Sequence, residues 1–449
     1  MKGPAVSVVG LGYVGLTTAV CFASSGIRVT GVEADAAKLA SISKGRVPFH
    51  EPGLDAMLKR ALKRGTLTCT ADFGEAVEES SITFLTVGTP SRPEGSIDLG
   101  YLVSAASQVG EELGRATRFR SVVVKSTVVP GTTAGPVRAA LEEHSGKLCG
   151  KGFGLAANPE FLREGSAVED TLHPDAIVIG AVDAASRRAL SALYRAYYRR
   201  LPPVISTSPS NAEFIKYAVN TFRATQLSFI NSLANLCQAV PGSDVDEVAR
   251  GFSSITGADA RYLKAGLGFG GSCLPKDLRA LIAHSKNAGV GPELLEAALM
   301  VNQRQPLVAM RIARGLLGGL SGKRVAVLGL AFKGNTDDVR ESSAISLANG
   351  LVGEGAEVVV YDPEAAENAR KVLVKEAKFA SSARECVEGA DCCMVATPWP
   401  EFSKLRAKDF GAMRKPLVVD CRGVLDLEAL RKGGIQAVGI GLGPSYSAG

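Results

Sequence analysis

Residues 5–15 read AVSVVGLGYVG, and this stretch decides the fold of the first part of the chain. Residues 5–10 are small or β-branched and predict a short buried strand, which runs directly into the glycine motif. Residues 16–25 then predict a helix, and residues 26–32 a second strand that ends at Glu33. A strand, GxGxxG, a helix, a strand and an acid within about 30 residues are typical of a dinucleotide-binding βαβ unit.

Each glycine of this turn has its own physical role. Gly10 permits the tight turn, Gly12 lets the backbone approach a pyrophosphate, and Gly15 lets the helix pack closely on the strand. Glu33 stands where a carboxylate accepts both ribose hydroxyls, which favours NAD over NADP, although Lys38 lies nearby and would tolerate a phosphate. The turn therefore predicts NAD as the cofactor.

Composition excludes several classes of protein. A chain of 449 residues suggests two or three domains, and 46% hydrophobic with 21% charged residues argues against disorder. The net charge of +6 suits an anionic small molecule and is too weak to indicate nucleic acid. No apolar run reaches the ~20 residues of a membrane span. The nine cysteines form no CxxC pair, so we expect reduced thiols, a cytoplasmic location and no metal site.

Further strand patterns follow the first βαβ unit. Residues 81–87, 121–125 and 176–179 predict strands separated by helical stretches, and this alternation indicates a parallel, doubly wound sheet. Ligands of such sheets bind beyond the carboxyl ends of the strands. Residues 88–90, with Thr89, and Ser126-Thr127 fall at such ends.

A long helix is predicted in the middle of the chain. Residues 210–240 contain no Gly or Pro, and Ser210 or Asn211 can cap the start. At about 45 Å, such a helix suits a spine between two domains. Lys216 and Asn220 are one turn apart on an otherwise apolar stretch, so they indicate either a site or a solvated stripe.

The last part of the chain repeats the opening pattern. Residues 324–328 predict a strand before a turn, and residues 355–361 predict another that ends at Asp362. Ala331 replaces the middle glycine, which would crowd a pyrophosphate, while Lys333 adds a charge. The second copy is therefore either adapted to another phosphate ligand or purely architectural.

A candidate catalytic nucleophile lies in the motif of residues 266–277, GLGFGGSCLPKD. A helix that starts near Pro275 would leave Cys273 at its N-terminus, where the helix dipole and Lys276 favour a thiolate. The alternative is a small buried cysteine. The surrounding glycines, Lys276 and Asp277 favour the nucleophile.

In order and spacing, these motifs resemble the NAD-dependent nucleotide-sugar 6-dehydrogenases, the UDP-glucose/GDP-mannose 6-dehydrogenase family. The resemblance covers nearly the whole chain and rests on seven motifs: residues 10–15, 51–54, 125–128 and 158–165, the helix with Lys216 and Asn220, residues 268–277, and residues 332–342. It implies an α/β protein with two Rossmann-like doubly wound domains joined by a long central helix and a helical region. The implied divisions are residues 1–200 for NAD binding, 201–310 for the central helical dimerisation and active-site region, and 311–449 for the nucleotide sugar. It also implies a homodimer or higher homo-oligomer packed through the central helix.

The reaction implied by this resemblance is a four-electron oxidation of the C6 alcohol of a nucleotide sugar, with two NADH formed. Cys273 would trap the aldehyde as a thiohemiacetal and then hold a thioester. Lys216 would stabilise the oxyanion, Glu160 would assist hydrolysis, and Asp277 would accept the alcohol proton. A water held by Asn220 or Thr127 would mediate that last transfer.

The resemblance also implies two sets of binding residues. The cofactor set comprises Gly10, Gly12, Tyr13, Val14, Gly15, Glu33, Lys38, Thr89, Thr127, Glu164, Lys276 and Arg340. The substrate set comprises Glu160, Phe161, Leu162, Arg163, Lys216, Asn220, Tyr262, Lys264, Gly270, Lys333 and Arg422.

Departures from the family pattern bear on the substrate. Members that act on UDP-glucose usually carry Arg-Ile-Gly before the glycine loop, whereas here the arginine is displaced to Arg261. Ser272 stands where enzymes for N-acetylhexosamines usually carry histidine. UDP-glucose is favoured over GDP-mannose. A β-hydroxyacid dehydrogenase, which needs no nucleophilic cysteine and no second nucleotide fold, and a non-catalytic nucleotide-sugar-binding regulator are the remaining alternatives.

Overall fold

The computed structural model describes residues 5–443, and the chain divides into two compact units, residues 1–219 and 220–449. The strands of the first unit are β1 Ala5–Val9, β2 Arg28–Val32, β3 Leu67–Thr70, β4 Ile82–Leu85, β5 Ser121–Val124, β6 Gly154–Ala157, β7 Ile177–Ala181 and β8 Val204–Thr207. Its helices are α1 Tyr13–Ser24, α2 Ala36–Ser43, α3 Leu54–Lys63, α4 Phe73–Glu79, α5 Gly100–Arg115, α6 Arg138–Ser145, α7 Ala167–Leu172 and α8 Ala184–Tyr197. The boundary between the units falls inside α9, Pro209–Cys237.

The eight strands of the first unit form one sheet in the order β3-β2-β1-β4-β5-β6-β7-β8. The chain reverses its direction of travel across the sheet between β1 and β4, as in a doubly wound fold, which confirms the prediction. The expectation of a wholly parallel sheet is wrong at one pair, because β7 runs antiparallel to β6. Residues 158–176 stay at the carboxyl end of β6, so the next strand starts there and runs back.

Two predicted helix starts need correction. Helix α1 begins at Tyr13 with Gly12 as its N-cap, not at residue 16, because the last residues of the glycine motif already form the first turn. Helix α9 begins at Pro209, so Ser210 and Asn211 lie inside the first turn and do not cap it. The Oγ of Ser208 accepts from the amide of Asn211 at 3.3 Å, and Pro at the first helical position is favoured.

The second unit begins with the remainder of α9 and continues, in the residues up to 443 that the structure describes, with six strands and seven α-helices. Its strands are β9 Arg324–Leu328, β10 Glu357–Tyr361, β11 Lys378–Phe379, β12 Cys392–Val395, β13 Leu417–Asp420 and β14 Gln436–Gly439. Its helices are α10 Val245–Thr256, α11 Leu274–Asn287, α12 Glu293–Leu317, α13 Ser343–Gly353, α14 Ala366–Ala369, α15 Ala383–Val387 and α16 Leu427–Lys432.

The sheet of the second unit is wholly parallel, in the order β11-β10-β9-β12-β13-β14. This is the strand order of a complete doubly wound domain, so the prediction of a second βαβ-type copy is confirmed. One face of the sheet packs its valines against apolar residues of α12 and α13, and Ile230 and Ala234 of α9 join the same core. Within residues 5–443, no helix is long and apolar enough to cross a membrane.

Candidate active site

The glycine turn of the first unit has the shape that a pyrophosphate requires. Gly10 has φ +91°, which L side chains rarely adopt, and a Cβ on Gly15 would lie 1.9 Å from the carbonyl oxygen of Gly10. A Cβ on Gly12 would meet nothing within 4 Å, so the space in front of the turn is open. Gly12 has no side chain to cap α1, and the first amides of this helix therefore face an open cradle suited to an anion.

Glu33 closes the ribose end of this cradle. Its Oε2 accepts from the amide of Leu11 at 3.1 Å, and its Oε1 accepts from the amide of Asp35 at 3.1 Å. The Nζ of Lys38 lies 2.7 Å from Oε2. The carboxylate is thus fixed at the end of β2, where it suits a ribose diol, and it neutralises the lysine that would otherwise attract a 2′-phosphate.

Tyr13 and Glu51 tie the turn to a second loop of the same unit, residues 160–165. The hydroxyl of Tyr13 donates to Glu51, and the amide of Gly165 donates to Glu51 Oε2 at 2.7 Å. Burial raises the pKa of Tyr13 above its ordinary value, so the phenol stays a donor. The contacts fix the loop that carries Glu164 beside the glycine turn.

Four predicted substrate residues lie on this loop, among them Arg163. Its guanidinium forms two hydrogen bonds with Asp170, from Nε at 3.1 Å and from Nη2 at 2.6 Å. The backbone amide of Arg163 donates to the same carboxylate at 2.8 Å, so Asp170 holds both the side chain and the backbone at this position. The contact of Arg163 with substrate stays a prediction.

Lys216 and Glu160 form a buried ion pair. Lys216 Nζ lies 3.0 Å from Glu160 Oε1, and the side chains are 4% and 7% exposed. The second oxygen of Glu160 accepts from the amide of Leu162 at 2.5 Å, and the ring of Phe161 lies 5.4 Å from the ammonium. The pair thus joins α9 to the 160–165 loop, and a small cavity beside it is lined by Thr127 and Lys216.

Thr127 and Thr89 meet at the carboxyl ends of β5 and β4. The Oγ1 of Thr89 donates to the carbonyl of Thr127 at 2.9 Å. The two residues predicted to contact cofactor therefore hold each other at the edge where doubly wound sheets bind ligands.

Lys125 is a buried residue of the 125–128 motif to which the sequence analysis assigned no role. Its Nζ lies 3.2 Å from Oδ1 of Asn158, which also accepts from Tyr194. Burial is the main cause that lowers the pKa of Lys125 to about 8; the charge of Glu160 acts against this lowering, and the charge of Lys216 adds to it. A lysine directly after a buried apolar strand was the available signal.

In the second unit, Cys273 is the N-cap residue of α11, as predicted. Pro275 stands in the first turn, and the amide of Asp277 donates to the carbonyl of Cys273 at 2.8 Å. The thiol is partly exposed, and its Sγ lies 3.4 Å from the Oγ of Ser272. A sulfur at a helix N-terminus with solvent access is placed for thiolate chemistry.

Asp277 sits one turn into α11 and is 1% exposed. Its Oδ2 accepts from the Nδ2 of Asn220 at 2.7 Å, and its Oδ1 lies 2.6 Å from the Nζ of Lys276. The amide of Asn220 therefore contacts the carboxylate directly, and a water between the alcohol and Asp277 stays a prediction. Lys276 is likewise engaged with Asp277.

The glycine loop before Cys273 is held from the C-terminal sheet. Arg422, at the end of β13, donates from Nη1 to the carbonyl of Gly268 at 2.8 Å and from Nε to that of Ala396 at 2.9 Å. Burial lowers the pKa of Arg422 to about 10. The arginine thus supports the loop, and its role in substrate recognition stays a prediction.

The other predicted ligands of the second unit surround this loop. Tyr262 lies under the guanidinium of Arg223 at 4.8 Å, and Lys264 lines a cavity with Arg422. Lys333 Nζ lies 5.6 Å from the Phe332 ring, and Arg340 forms an ion pair with Asp338. Arg261, the displaced arginine of the sequence analysis, forms an ion pair with Asp259.

The second glycine turn is filled from within. Asp362 accepts from the amides of Leu330 at 2.6 Å and Ala331 at 3.0 Å and from Trp399 Nε1 at 3.0 Å. A Cβ on Gly329 would lie 2.3 Å from Thr397. The carboxylate of Asp362 is therefore engaged by groups of the turn itself. In the described part of the chain, no group of three His, Cys, Asp or Glu side chains could hold a metal ion.

Three family models match this chain, all from the UDP-glucose/GDP-mannose dehydrogenase family. The NAD binding domain matches residues 4–198, the central domain residues 210–304, and the UDP binding domain residues 326–427.

Several proteins named as UDP-glucose or GDP-mannose dehydrogenases are similar over almost their whole length. A UDP-glucose 6-dehydrogenase of Haloferax volcanii is 44% identical, with 95% of this chain and 99% of that protein covered. One of Rhizobium meliloti is 38% identical, with 97% and 99% covered. The structure of a UDP-glucose dehydrogenase from Pyrobaculum islandicum has a TM-score of 0.89 and 39% identity, with 99% and 98% covered. A GDP-mannose dehydrogenase from Pseudomonas aeruginosa gives a TM-score of 0.55 and 32% identity, with 97% and 99% covered.

Proposed function

This chain belongs to the UDP-glucose/GDP-mannose dehydrogenase family, and we propose that it oxidises the C6 alcohol of UDP-glucose to a carboxylate with two NAD⁺. The observation that carries the proposal is Cys273 at the start of α11, one turn before a buried Asp277 that Asn220 holds. The relatives at 44% and 38% identity favour UDP-glucose over GDP-mannose as the substrate. The sheet β9–β14 argues against the β-hydroxyacid alternative, which needs no second nucleotide fold.

The cofactor cradle of the first unit supports NAD. Gly10, Gly12 and Gly15 leave room for the pyrophosphate, and Glu33 accepts the ribose hydroxyls. Bound NAD⁺ supplies the hydride acceptor for both oxidations. Tyr13 and Val14 lie in the first turn of α1; the other cofactor residues of the proposal are Lys38, Thr89, Thr127, Glu164, Lys276 and Arg340.

The first oxidation removes a proton from the C6 hydroxyl and a hydride from C6. Asp277 takes the proton, because its carboxylate is held in one orientation by Asn220 and Lys276. Cys273 then adds to C6 of the aldehyde, which keeps the intermediate bound as a thiohemiacetal. Lys216 donates to the C6 oxygen where negative charge develops.

The second oxidation removes a hydride from C6 of the thiohemiacetal in its oxyanion form, which Lys216 stabilises, and leaves a thioester on Cys273. Water then attacks the carbonyl carbon, the C–S bond breaks, and the thiolate leaves. Glu160, which is held by its ion pair with Lys216, accepts the proton of that water. The products are a C6 carboxylate and two NADH per sugar.

The substrate-binding proposal retains the division into residues 1–200, 201–310 and 311–449. The nucleoside diphosphate would contact the last part and the glycine loop, through Tyr262, Lys264, Gly270, Lys333 and Arg422. The sugar would contact residues 160–163, Lys216 and Asn220.

A homodimer through α9 is a further part of the proposal. Phe222, Phe229 and Leu236 are 64%, 44% and 61% exposed and recur every seven residues, so they share one face of the helix. A stripe of large exposed apolar side chains favours contact with a second copy. Phe222→Glu with Phe229→Glu should yield monomers in sedimentation velocity, whereas Tyr101→Glu, at an exposed residue of α5, should leave the dimer intact.

We also propose a cytoplasmic location, since the nine cysteines, all in the described part of the chain, form no disulfide.

The decisive experiment measures NADH formed per sugar consumed on a panel of UDP- and GDP-hexoses. We expect two NADH with UDP-glucose and much lower kcat/KM with GDP-mannose. Cys273→Ser should form much less of the acid product than the parent protein. Cys149→Ser, at a partly exposed cysteine of the first unit, should behave as the parent protein. One NADH with a released aldehyde, or normal acid production by Cys273→Ser, would refute the mechanism.

A further inference from the structure

We propose that Glu341 and Arg279 form a clamp that positions Cys273, and that Glu341 is therefore a positioning residue for the cysteine chemistry. The inference rests on the proposed function for the role of the thiol, and on the geometry of the second unit for the clamp. Neither side chain is assigned to the reacting atoms by the mechanism above.

The clamp begins with backbone contacts onto the two glycines that precede Ser272 and Cys273. The amide of Gly271 donates to the carbonyl of Arg340 at 2.8 Å. A Cβ on Gly270 would lie 2.3 Å from the carbonyl oxygen of Glu341, and one on Gly271 would lie 2.7 Å from the ring of Phe332. The loop after β9 therefore covers the glycines so closely that only residues without a Cβ fit beneath it.

Glu341 reaches this position in a conformation that its residue type rarely adopts. Its φ is +51°, in the left-handed region, and within the described residues only Asn335 among the other non-glycine residues also has a positive φ. A glutamate persists there when its surroundings hold it.

Arg279 supplies that restraint from the cysteine helix itself. It lies in α11, and its Nη1 and Nη2 donate to Oε1 and Oε2 of Glu341, each at 2.9 Å. The hydrogen bonds with Glu341 raise the pKa of Arg279 above its ordinary value. Two parallel bonds fix both direction and distance, which a single lysine contact would not. One end of the clamp is therefore α11, and the other is the loop that presses on Gly270 and Gly271.

The loop has a second relationship to the proposed chemistry. Residues 332–342 include Lys333, proposed to contact the nucleotide sugar, and Arg340, proposed to contact the cofactor. Because the carbonyls of Arg340 and Glu341 meet the glycines directly, the position of this loop and the position of the thiol are coupled. Loss of the clamp should therefore change the reactivity of Cys273 more than the affinity for either ligand.

The test compares Arg279→Gln and Glu341→Gln with Arg314→Gln as a matched control. Arg314 also makes two hydrogen bonds to one carboxylate, that of Glu354, elsewhere in the second unit. The first readout is the iodoacetamide labelling rate of Cys273 at pH 7 in the full-length protein, followed on its own peptide by mass spectrometry. The second is kcat and KM for UDP-glucose and NAD⁺.

We expect Arg279→Gln and Glu341→Gln to slow labelling of Cys273 roughly fivefold and to lower kcat about tenfold, with both KM values nearly unchanged. The exchange Arg279→Glu with Glu341→Arg should restore part of both losses. Arg314→Gln should match the parent protein in both assays. Labelling and kcat within error of Arg314→Gln, or an exchange no better than the single variants, would overturn the clamp.

The two readouts separate this proposal from the proposed function. If labelling slows but the parent protein does not oxidise UDP-glucose, the clamp stands and the assigned substrate fails. If two NADH are formed per UDP-glucose and labelling is unchanged in the variants, the function stands and the clamp fails. The melting temperature of each variant identifies any that fail to fold. If Arg279→Gln fails to fold, Arg279→Lys, which keeps the charge with a single contact, replaces it.

Discussion

The Nζ of Lys216 lies 3.0 Å from Oε1 of Glu160, and both side chains are almost completely buried in the first unit. The contact spans 56 positions of sequence and joins α9 to the loop after β6. An isolated buried charge is strongly unfavourable, so each group offsets the burial cost of the other's charge. The pair therefore connects the stability of the unit with its proposed chemistry.

Replacing either member should separate these two effects. Glu160→Gln keeps an acceptor for Lys216 but no base, so we expect kcat to fall about 10²-fold while the thioester accumulates as added mass on the chain. Lys216→Ala leaves the buried carboxylate without its ammonium partner and should cost about 3–5 kcal/mol in the free energy of unfolding. Urea unfolding and intact-mass spectrometry during turnover measure the two outcomes. Glu169→Gln, at an exposed position of α7, is the control. An unmodified chain during turnover of Glu160→Gln would contradict the assigned role.

Asn220 should matter for orientation of Asp277. Asp277 has two side-chain partners, Asn220 and Lys276. Asn220→Leu keeps the side-chain volume but removes the 2.7 Å hydrogen bond to Oδ2, so that only the contact with Lys276 remains. We expect kcat to fall about 10²-fold, since small misplacement of a proton acceptor is costly, with little change in KM for NAD⁺. Asn235 lies further along α9 and donates a hydrogen bond of the same kind to Gln305 of α12. Asn235→Leu removes that bond and should retain kcat. Equal losses in the two variants would mean that packing of α9, not Asp277, sets the rate.

The strands that the sequence predicted share one property. β1, β4 and β9 are runs of apolar and β-branched residues bounded by glycine or polar turns, which local pattern alone identifies. The strands that were not predicted include β12 CCMV and β13 LVVD, whose apolar runs carry the same local signal. Others, such as β3 LTCT and β6 GLAA, are polar or small. Their extended shape comes from pairing with β2 and β5, a tertiary influence that no short window of sequence contains.

The candidate site shows the same limit. The position of Cys273 before α11 followed from Pro275 and the glycines, because helix starts have local signals. Asn220, which contacts Asp277, and Lys216, which pairs with Glu160, each lie more than fifty residues from that acid along the chain. The left-handed Glu341 depends on Arg279 of another element. Such pairings are set by the packed fold, so the motif predicted the residues but not their contacts.

Glu33 should control the choice between NAD⁺ and NADP⁺. Glu33→Ala removes the acceptor for the ribose hydroxyls and releases Lys38 from its 2.7 Å ion pair, so the pocket becomes more favourable to a 2′-phosphate. We expect kcat/KM for NAD⁺ to fall about tenfold and the NADP⁺/NAD⁺ ratio to rise by about the same factor, as loss of one charged hydrogen-bond acceptor implies. Asp35→Ala, which removes only the cap of α2, should leave the ratio unchanged. A ratio that does not rise in Glu33→Ala would place cofactor discrimination elsewhere.

Lys125 should make stability depend on alkaline pH. Burial lowers its pKa to about 8, below the usual value of a lysine in the unfolded chain, so the folded protein binds fewer protons than the unfolded chain between those two values. Stability contributed by this group therefore rises with pH, starting near pH 8, on the order of 2 kcal/mol by pH 10. Lys125→Met carries no proton there, and its stability should lack this rise. Urea unfolding of the parent and of Lys125→Met at pH 7, 8, 9 and 10 isolates the contribution as the difference between the two curves, and parallel curves would mean that Lys125 has the same pKa folded and unfolded.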